Sequence, residues 1–251
     1  LSENKNLKIK RDNMDIREKE LETLTCDGSA NLYKVVINGA VNVDGKLTAN
    51  ILKVGGRVAI DGYAKLESIE LNNDLIIDGN LDLSNGVVLG KIKVDGSANL
   101  NELDLKNNLF VDGVLTLNKG VISGEVEVDG LANISYTEIT KNFGIDGSLN
   151  MNNVSIAGKT EVDGMVNIKE SKVCDLIVCG KKTTIEFSAV KSILVKKLNK
   201  IEILWRKRQV IRLIGSQVEG DIVFDSGDGE VVLQGGATVG GKIIGGKVTT
   251  N

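Results

Sequence analysis

The dipeptide Asp-Gly begins at Asp27, Asp44, Asp61, Asp78, Asp95, Asp112, Asp129, Asp146 and Asp163, and each step between these residues is 17. Nine occurrences at one spacing, with no insertion or deletion, are a property of the fold and not of a glycine-rich composition. Whatever this chain folds into must repeat itself every 17 residues.

With Asp as position 1 and Gly as position 2, the repeats become columns. Position 6 reads Leu32, Ala49, Leu66, Leu83, Leu100, Leu117, Ile134, Met151 and Ile168, and position 11 reads Ile37, Val54, Leu71, Val88, Leu105, Ile122, Ile139, Ile156 and Val173. Positions 15 and 17 are apolar almost throughout, as in Val126 and Val128. Each repeat therefore holds three short alternating segments, near positions 4 to 6, 9 to 11 and 15 to 17, with corners rich in Gly, Asn and Asp between them. Alternation sends one set of side chains inward and the other outward. Identical residues one repeat apart then describe a coil stacked on copies of itself, with parallel strands about 4.8 Å apart. The expected fold is all-β: a single three-sided parallel β-helix. A helical bundle would need a 3.6-residue period, and an antiparallel sandwich would not hold each strand beside its namesake.

A slower rhythm of 34 residues runs through the same columns. Position 4 alternates Ala30, Leu47, Ala64, Leu81, Ala98, Leu115, Ala132 and Leu149. Mid-array, position 9 moves in opposition: Ala64 comes with Ile69, Leu81 with Gly86, Ala98 with Leu103 and Leu115 with Gly120. A coil encloses one layer of fixed volume, so a large side chain on one wall requires a small one on another. The Asp-Gly pair itself reads as a corner, Gly supplying positive φ and the Asp carboxylate accepting backbone N–H groups at the bend. A cation-binding ladder is the competing reading. Carboxylates stacked about 4.8 Å apart repel by at most roughly 1 kcal/mol in water, so the ladder stands without metal.

Residues 1–25 lie outside the period and are dense in charge. They read as a charged N-terminal cap over the first coil or as a disordered tail, with Asp12 placed to cap a short helix carrying Met14, Leu21 and Leu24 on one side. Residues 26–251 read as one continuous β-helix of about 13 coils, a rod of roughly 60 Å. After Cys179 the register loosens, yet "TTIEFSAVKSILV", "KIEILW" and "VIRLIGSQVEGDIVF" still alternate.

Aromatic residues are only 3% of the chain, and proline and histidine are absent, so the core is built from Val, Ile, Leu and Ala. Without histidine there is no triad of the usual kind and no zinc site of the usual composition. Hexapeptide acyltransferases, short-coil β-helix enzymes with a catalytic histidine and an 18-residue coil, are excluded on both counts. Polysaccharide-cleaving β-helices have longer coils with loop excursions that build a cleft, and nine uninterrupted repeats offer none. No catalytic, cofactor-binding or metal-ligating residue is assigned, and no small-molecule substrate is expected. Cys26, Cys174 and Cys179 are too few and too odd in number for a disulfide framework. Cys174 and Cys179 give a weak metal or redox hint, weighed against a core role in which Cys179 fills the inward position 17. The outward column at position 5, Asn31, Thr48, Lys65, Asp82, Asn99, Thr116, Asn133, Asn150 and Asn167, reads as a ladder of side-chain amides, with an ice- or glycan-binding face as the alternative.

Charge is unevenly spread. Residues 180–212 hold ten Lys and Arg against Glu186 and Glu202, a net of +8, so a chain of net charge −3 carries −11 elsewhere. Alternation makes most of these charges outward side chains of exposed strands. The functional reading is a docking flank of Lys196, Lys197, Lys200, Trp205, Arg206, Lys207 and Arg208 for an anionic partner: a membrane surface, nucleic acid, or the acidic coils of another copy. No apolar run reaches the roughly 18 residues of a membrane helix. A cytoplasmic location is expected, with membrane association, export and any signal before Leu1 left open.

The repeated Val-Asp-Gly-x-x-x-Leu coils, together with "SQVEGDIVF" and "ATVGGKIIGGKV" near the C-terminus, resemble the bactofilins, bacterial polymer-forming cytoskeletal proteins. The resemblance implies a right-handed coil, nucleotide-free assembly end to end into filaments, and a scaffold role in cell shape or envelope machinery. It also implies that the main partner is the chain itself. This chain is longer than the usual bactofilin core and adds the charged N-terminal segment and the basic flank. A capped monomeric spacer, or an exported interaction protein docking an anionic partner, is the alternative function.

Overall fold

The computed structural model describes residues 6–10, 13–198 and 208–250. No helix occurs among them, and every strand pairing they show is parallel. The chain divides into two compact units, Leu1–Val126 and Glu127–Asn251. Each is a β-solenoid.

In the first unit, strands Asn6–Lys10, Met14–Leu21, Thr23–Ile37, Val41–Val54, Val58–Leu71, Leu75–Val88, Ile92–Asp95, Ala98–Leu105 and Leu109–Ile122 stack in register. The column Ile16, Leu32, Ala49, Leu66, Leu83, Leu100 and Leu117 marks seven levels. Asp27, Asp44, Asp61, Asp78, Asp95 and Asp112 form one column, as the period requires. The side chains at positions 4, 6, 9, 11, 15 and 17 are buried, so three inward-facing runs per coil enclose an aliphatic core.

The three corners are built differently. At the first, glycine turns with φ between 133 and 157° in all nine repeats. A Cβ on Gly45, Gly62, Gly79 or Gly96 would collide with the carbonyl oxygen of the glycine one coil earlier, so no other residue fits. The Asp carboxylates do not serve this corner: no side-chain hydrogen bond engages Asp44, Asp61 or Asp78 among the described residues, and all three are exposed. At the second corner, position 8 adopts the left-handed conformation at residues of many types. Glu18, Lys34, Ile51, Ser68, Asn85, Glu102, Lys119, Tyr136, Asn153, Glu170 and Phe187 have φ of 47 to 59°. Positions 6 and 9 both point inward although three residues apart, and the left-handed residue between them re-aims the strand.

In the middle of the array the third corner shares the 34-residue rhythm. Asn73-Asp74 and Asn107-Asn108 alternate with Gly90-Lys91 and Gly124-Glu125. Asp74 Oδ1 accepts the amide of Lys91 at 3.0 Å, and Asn108 Oδ1 accepts that of Glu125 at 2.9 Å. Only a glycine leaves room on the next coil: a Cβ on Gly90 would lie 2.4 Å from the backbone of Asn73 and Asp74 and 2.6 Å from Asp74 Oδ1. Coils therefore come in unlike pairs. In the interior the alternation is real, but its contact differs from the expected one. A Cβ on Gly86 would meet Leu83 Cδ2 at 2.8 Å and Ile69 Cγ1 at 3.1 Å, so position 9 is fitted to position 6 of its own coil and to the preceding position 9.

The short helix expected before residue 25 is a strand. Met14 and Ile16 are buried two apart and pair with Ala30 and Leu32, and Leu21 pairs with Ile37, so these apolar residues continue the inward columns of the coils. Asp12 lies outside the described residues.

In the second unit the strands are Val126–Ile139, whose first residue belongs to the other unit, then Phe143–Ile156, Thr160–Asp163, Val166–Lys169, Lys172–Val178, Lys182–Glu186, Ala189–Val195, Gln209–Ile214, Gln217–Val218, Ile222–Phe224, Gly229–Gln234, Thr238–Val239, Ile243–Ile244 and Gly246–Thr250. The position-6 column of this unit is Ile134, Met151, Ile168, Ile185, Leu213, Leu233 and Thr250. The amide ladder is present, with Asn150 donating to Asn133 and Asn167 to Asn150, each at 2.9 Å. A second ladder, of hydroxyls, lies inside. Ser171, Ser188 and Ser216 are buried at position 9, and their Oγ atoms accept the amides of Val154, Ser171 and Ser188 at 3.0, 3.0 and 3.1 Å.

In this unit register departs from 17 three times, the last where Gln209 pairs with Gly229 and Gln217 with Thr238, offsets of 20 and 21 residues. At the first, Thr160 pairs with Leu176 and Val162 with Val178, because the third corner after Val173 is one residue short. Val178 is therefore the buried position-17 residue, and Cys179 is not. Cys179 stands where Asp opens other coils, and Gly180 sits over Gly164. The second departure is larger: Ile185 pairs with Leu213 and Val195 with Phe224, offsets of 28 and 29 residues. Residues 196–208, an excursion from the 17-residue register, stand between strands Ala189–Val195 and Gln209–Ile214, and 199–207 lie outside the described residues. The expected alternation of "KIEILW" falls on residues 200–205, which lie outside the described residues.

Candidate functional site

The docking flank read from the sequence falls on this excursion. Lys200, Trp205, Arg206 and Lys207 lie outside the described residues; Lys196, Lys197 and Arg208 form its two ends.

Lys196 follows the inward Val195 and so occupies position 1, with its amide donating to the carbonyl of Val178 at 2.8 Å. From there its ammonium reaches the carboxylate of Glu161, an outward residue two coils back. Lys159 Nζ holds the other oxygen of Glu161 at 2.9 Å. Hydrogen bonds from Lys159 and Lys196 keep Glu161 below the usual carboxylate range, and the bond to Glu161 raises Lys196. Lys197 is exposed, and its carbonyl lies 3.9 Å from the thiol of Cys179. Leu198 is buried.

At the returning end, Arg208 Nε donates to Asp228 Oδ1 at 2.9 Å, with both side chains well exposed. Gln209 is the residue that sequence reasoning missed. It is 4% exposed, and its Nε2 donates to the carbonyls of Lys196 at 2.9 Å and Gly180 at 3.2 Å. One side chain thus ties the two ends of the excursion to each other and to the coil beneath. A signal existed, because an amide at an inward position of an aliphatic core must satisfy its donors, and the donors of Gln209 go to backbone left open by the departing chain.

The structure therefore places Lys196 and Arg208 each in an ion pair within the chain, leaving Lys197 as the unpaired described member of the set. Cys174 lies beside Asp175, with Sγ 3.7 Å from Oδ2, and all three cysteines are free thiols. Among the described residues no group of three His, Cys, Asp or Glu side chains is placed to hold a metal ion. No helix among them is long and apolar enough to cross a membrane.

Comparison of the chain with protein families, with curated proteins and with solved structures finds no match to any of them.

Proposed function

We propose that this chain is a structural scaffold of the bactofilin type, associating coil on coil through its outermost coils and carrying out no reaction. The right-handed, three-sided form belongs to this reading. Its main support is the outer face of the last described coil. Val248 pairs with Val231 in the column beneath it; Val231 is fully buried, while Val248 is 51% exposed. Ile243, which pairs with the fully buried Ile222, is only half-buried, and no described strand pairs with Gly246–Thr250 on the side away from Gly229–Gln234. Covering a valine of this kind stabilises by about 1.5 kcal/mol or more, and a strand laid alongside would add its ladder of hydrogen bonds.

Sedimentation and electron microscopy of the purified chain and of Val248→Asp test the reading. Assembly by the parent chain, reduced in the variant at unchanged circular dichroism, is the expected result. A chain that stays monomeric at high concentration removes self-assembly and leaves the monomeric binding solenoid. That alternative draws less support from the basic flank once Lys196 and Arg208 are seen to be paired within the chain.

A further inference from the structure

The first unit carries a groove of about 480 Å³ that none of the foregoing uses. Its floor is the outward column at position 16, where Thr25, Asn42, Ala59 and Ile76 follow one another. Ala59 is short between longer neighbours, and the depression lies across it. One rim is the Asp column, Asp27, Asp44, Asp61 and Asp78. The result is a partly apolar trough edged by one carboxylate per coil.

Those carboxylates are uncommitted. All four are exposed, and among the described residues none forms an ion pair. Glycine alone makes the corner, so the fold does not require the acid beside it. Repulsion between neighbours is small in water, yet it adds along the column and is relieved by any cationic chain laid in the trough. The same sequence contains such a chain. Within it, residues 197–207 read KLNKIEILWRK, four Lys and Arg against one Glu, interleaved with Ile201, Ile203, Leu204 and Trp205. Apolar side chains suit the floor, and basic ones suit the rim.

We propose that the Asp-rimmed groove of one copy receives the basic excursion of a second copy, so that copies associate side by side. This adds a lateral contact to the end-to-end scaffold reading and does not depend on the face at Val248. Rim charges govern encounter and salt dependence, so the contact weakens as salt is raised, unlike the apolar coil-on-coil contact.

The test is sedimentation of the full chain in the Val248→Asp background, where end-to-end association is removed. Self-association is expected to persist and to weaken by about tenfold or more in dissociation constant when salt rises from about 0.05 M to about 0.5 M. Asp44→Asn, Asp61→Asn and Asp78→Asn together should abolish it, and their folding is checked by circular dichroism. Lys197→Glu, Arg206→Glu and Lys207→Glu should abolish it too. A set carrying Asp44→Lys, Asp61→Lys and Asp78→Lys, also unable to pair with itself, should form a heteromer when mixed with the Glu set. A Val248→Asp chain that is monomeric at low salt overturns the proposal. So does association lost in the Glu set but kept in the Asn set, which would assign the excursion to another surface. If parent assembly is instead insensitive to Val248→Asp but lost in both groove sets, the end-to-end reading fails and the lateral contact stands.

Discussion

Ile51 is the residue least suited to its backbone. It is β-branched, has φ of 58°, and is 41% exposed, so packing gives it little compensation. Left-handed geometry costs an ordinary L-residue roughly 1–2 kcal/mol, and asparagine less because its short side chain tolerates that region. Ile51→Asn is therefore expected to stabilise the chain by about 1 kcal/mol in urea unfolding. Asn85 already occupies the equivalent corner with φ of 56°. No pattern in the sequence announced this corner, because lysine, isoleucine, serine, tyrosine and phenylalanine all occupy it. The Asp-Gly corner was legible for the opposite reason: there a Cβ meets the neighbouring backbone, and only glycine survives.

Among the elements, the hydroxyl ladder and the excursion carry the largest expected effects. Ser188 Oγ accepts the buried amide of Ser171, so Ser188→Ala leaves that N–H unpaired and should cost about 1–3 kcal/mol, against under half that at an exposed serine. Denaturant titration of the two variants measures the difference. Glu161 links the excursion to pH. Its folded pKa is depressed by Lys159 and Lys196, so its contribution is present above the ordinary carboxylate range and is lost as pH falls through the lowered folded value. The stability difference between parent and Glu161→Gln should accordingly be constant near neutrality and vanish in acid, as read from unfolding midpoints across that range. The excursion itself was hidden in the sequence. Ile201, Ile203 and Trp205 alternate as a strand does in the sequence and lie outside the described residues, and only the pairing of Val195 with Phe224 shows that the 17-residue register is lost between those two residues. Cys179 was misplaced by one residue because the short corner at Cys174 and Asp175 leaves no gap in the apolar pattern.

For the molecule as a whole, the natural unit is two coils and not one. Removing residues 61–94 joins Ile60 to Asp95 and restores every alternation: Ala98 replaces Ala64 above Leu47, and Asn107-Asn108 replaces Asn73-Asp74. Removing residues 61–77 instead stacks Leu81 on Leu47, sets Gly86 against Leu52, and takes Asp74 from the amide of Lys91. The shorter deletion should be the more damaging, by about 2–4 kcal/mol from overpacking and the lost hydrogen bond. Unfolding midpoints of the two proteins decide the matter. At this scale the sequence was most informative, since a fixed period with fixed inward columns leaves a parallel solenoid as the only regular solution. The expected 13 coils become about 14 levels, seven in each unit, because strand Met14–Leu21 joins the stack.

The left-handed corner also has an informational consequence. Its backbone is set by the strands on either side, so the identity of the side chain there is nearly free. From Lys34 through Ile51, Ser68, Asn85 and Glu102 to Lys119, successive coils display cation, hydrocarbon, hydroxyl, amide, anion and cation along one edge. An otherwise monotonous stack is thereby graduated like a ruler, with a chemically distinct mark about every 4.8 Å by which one level can be told from the next.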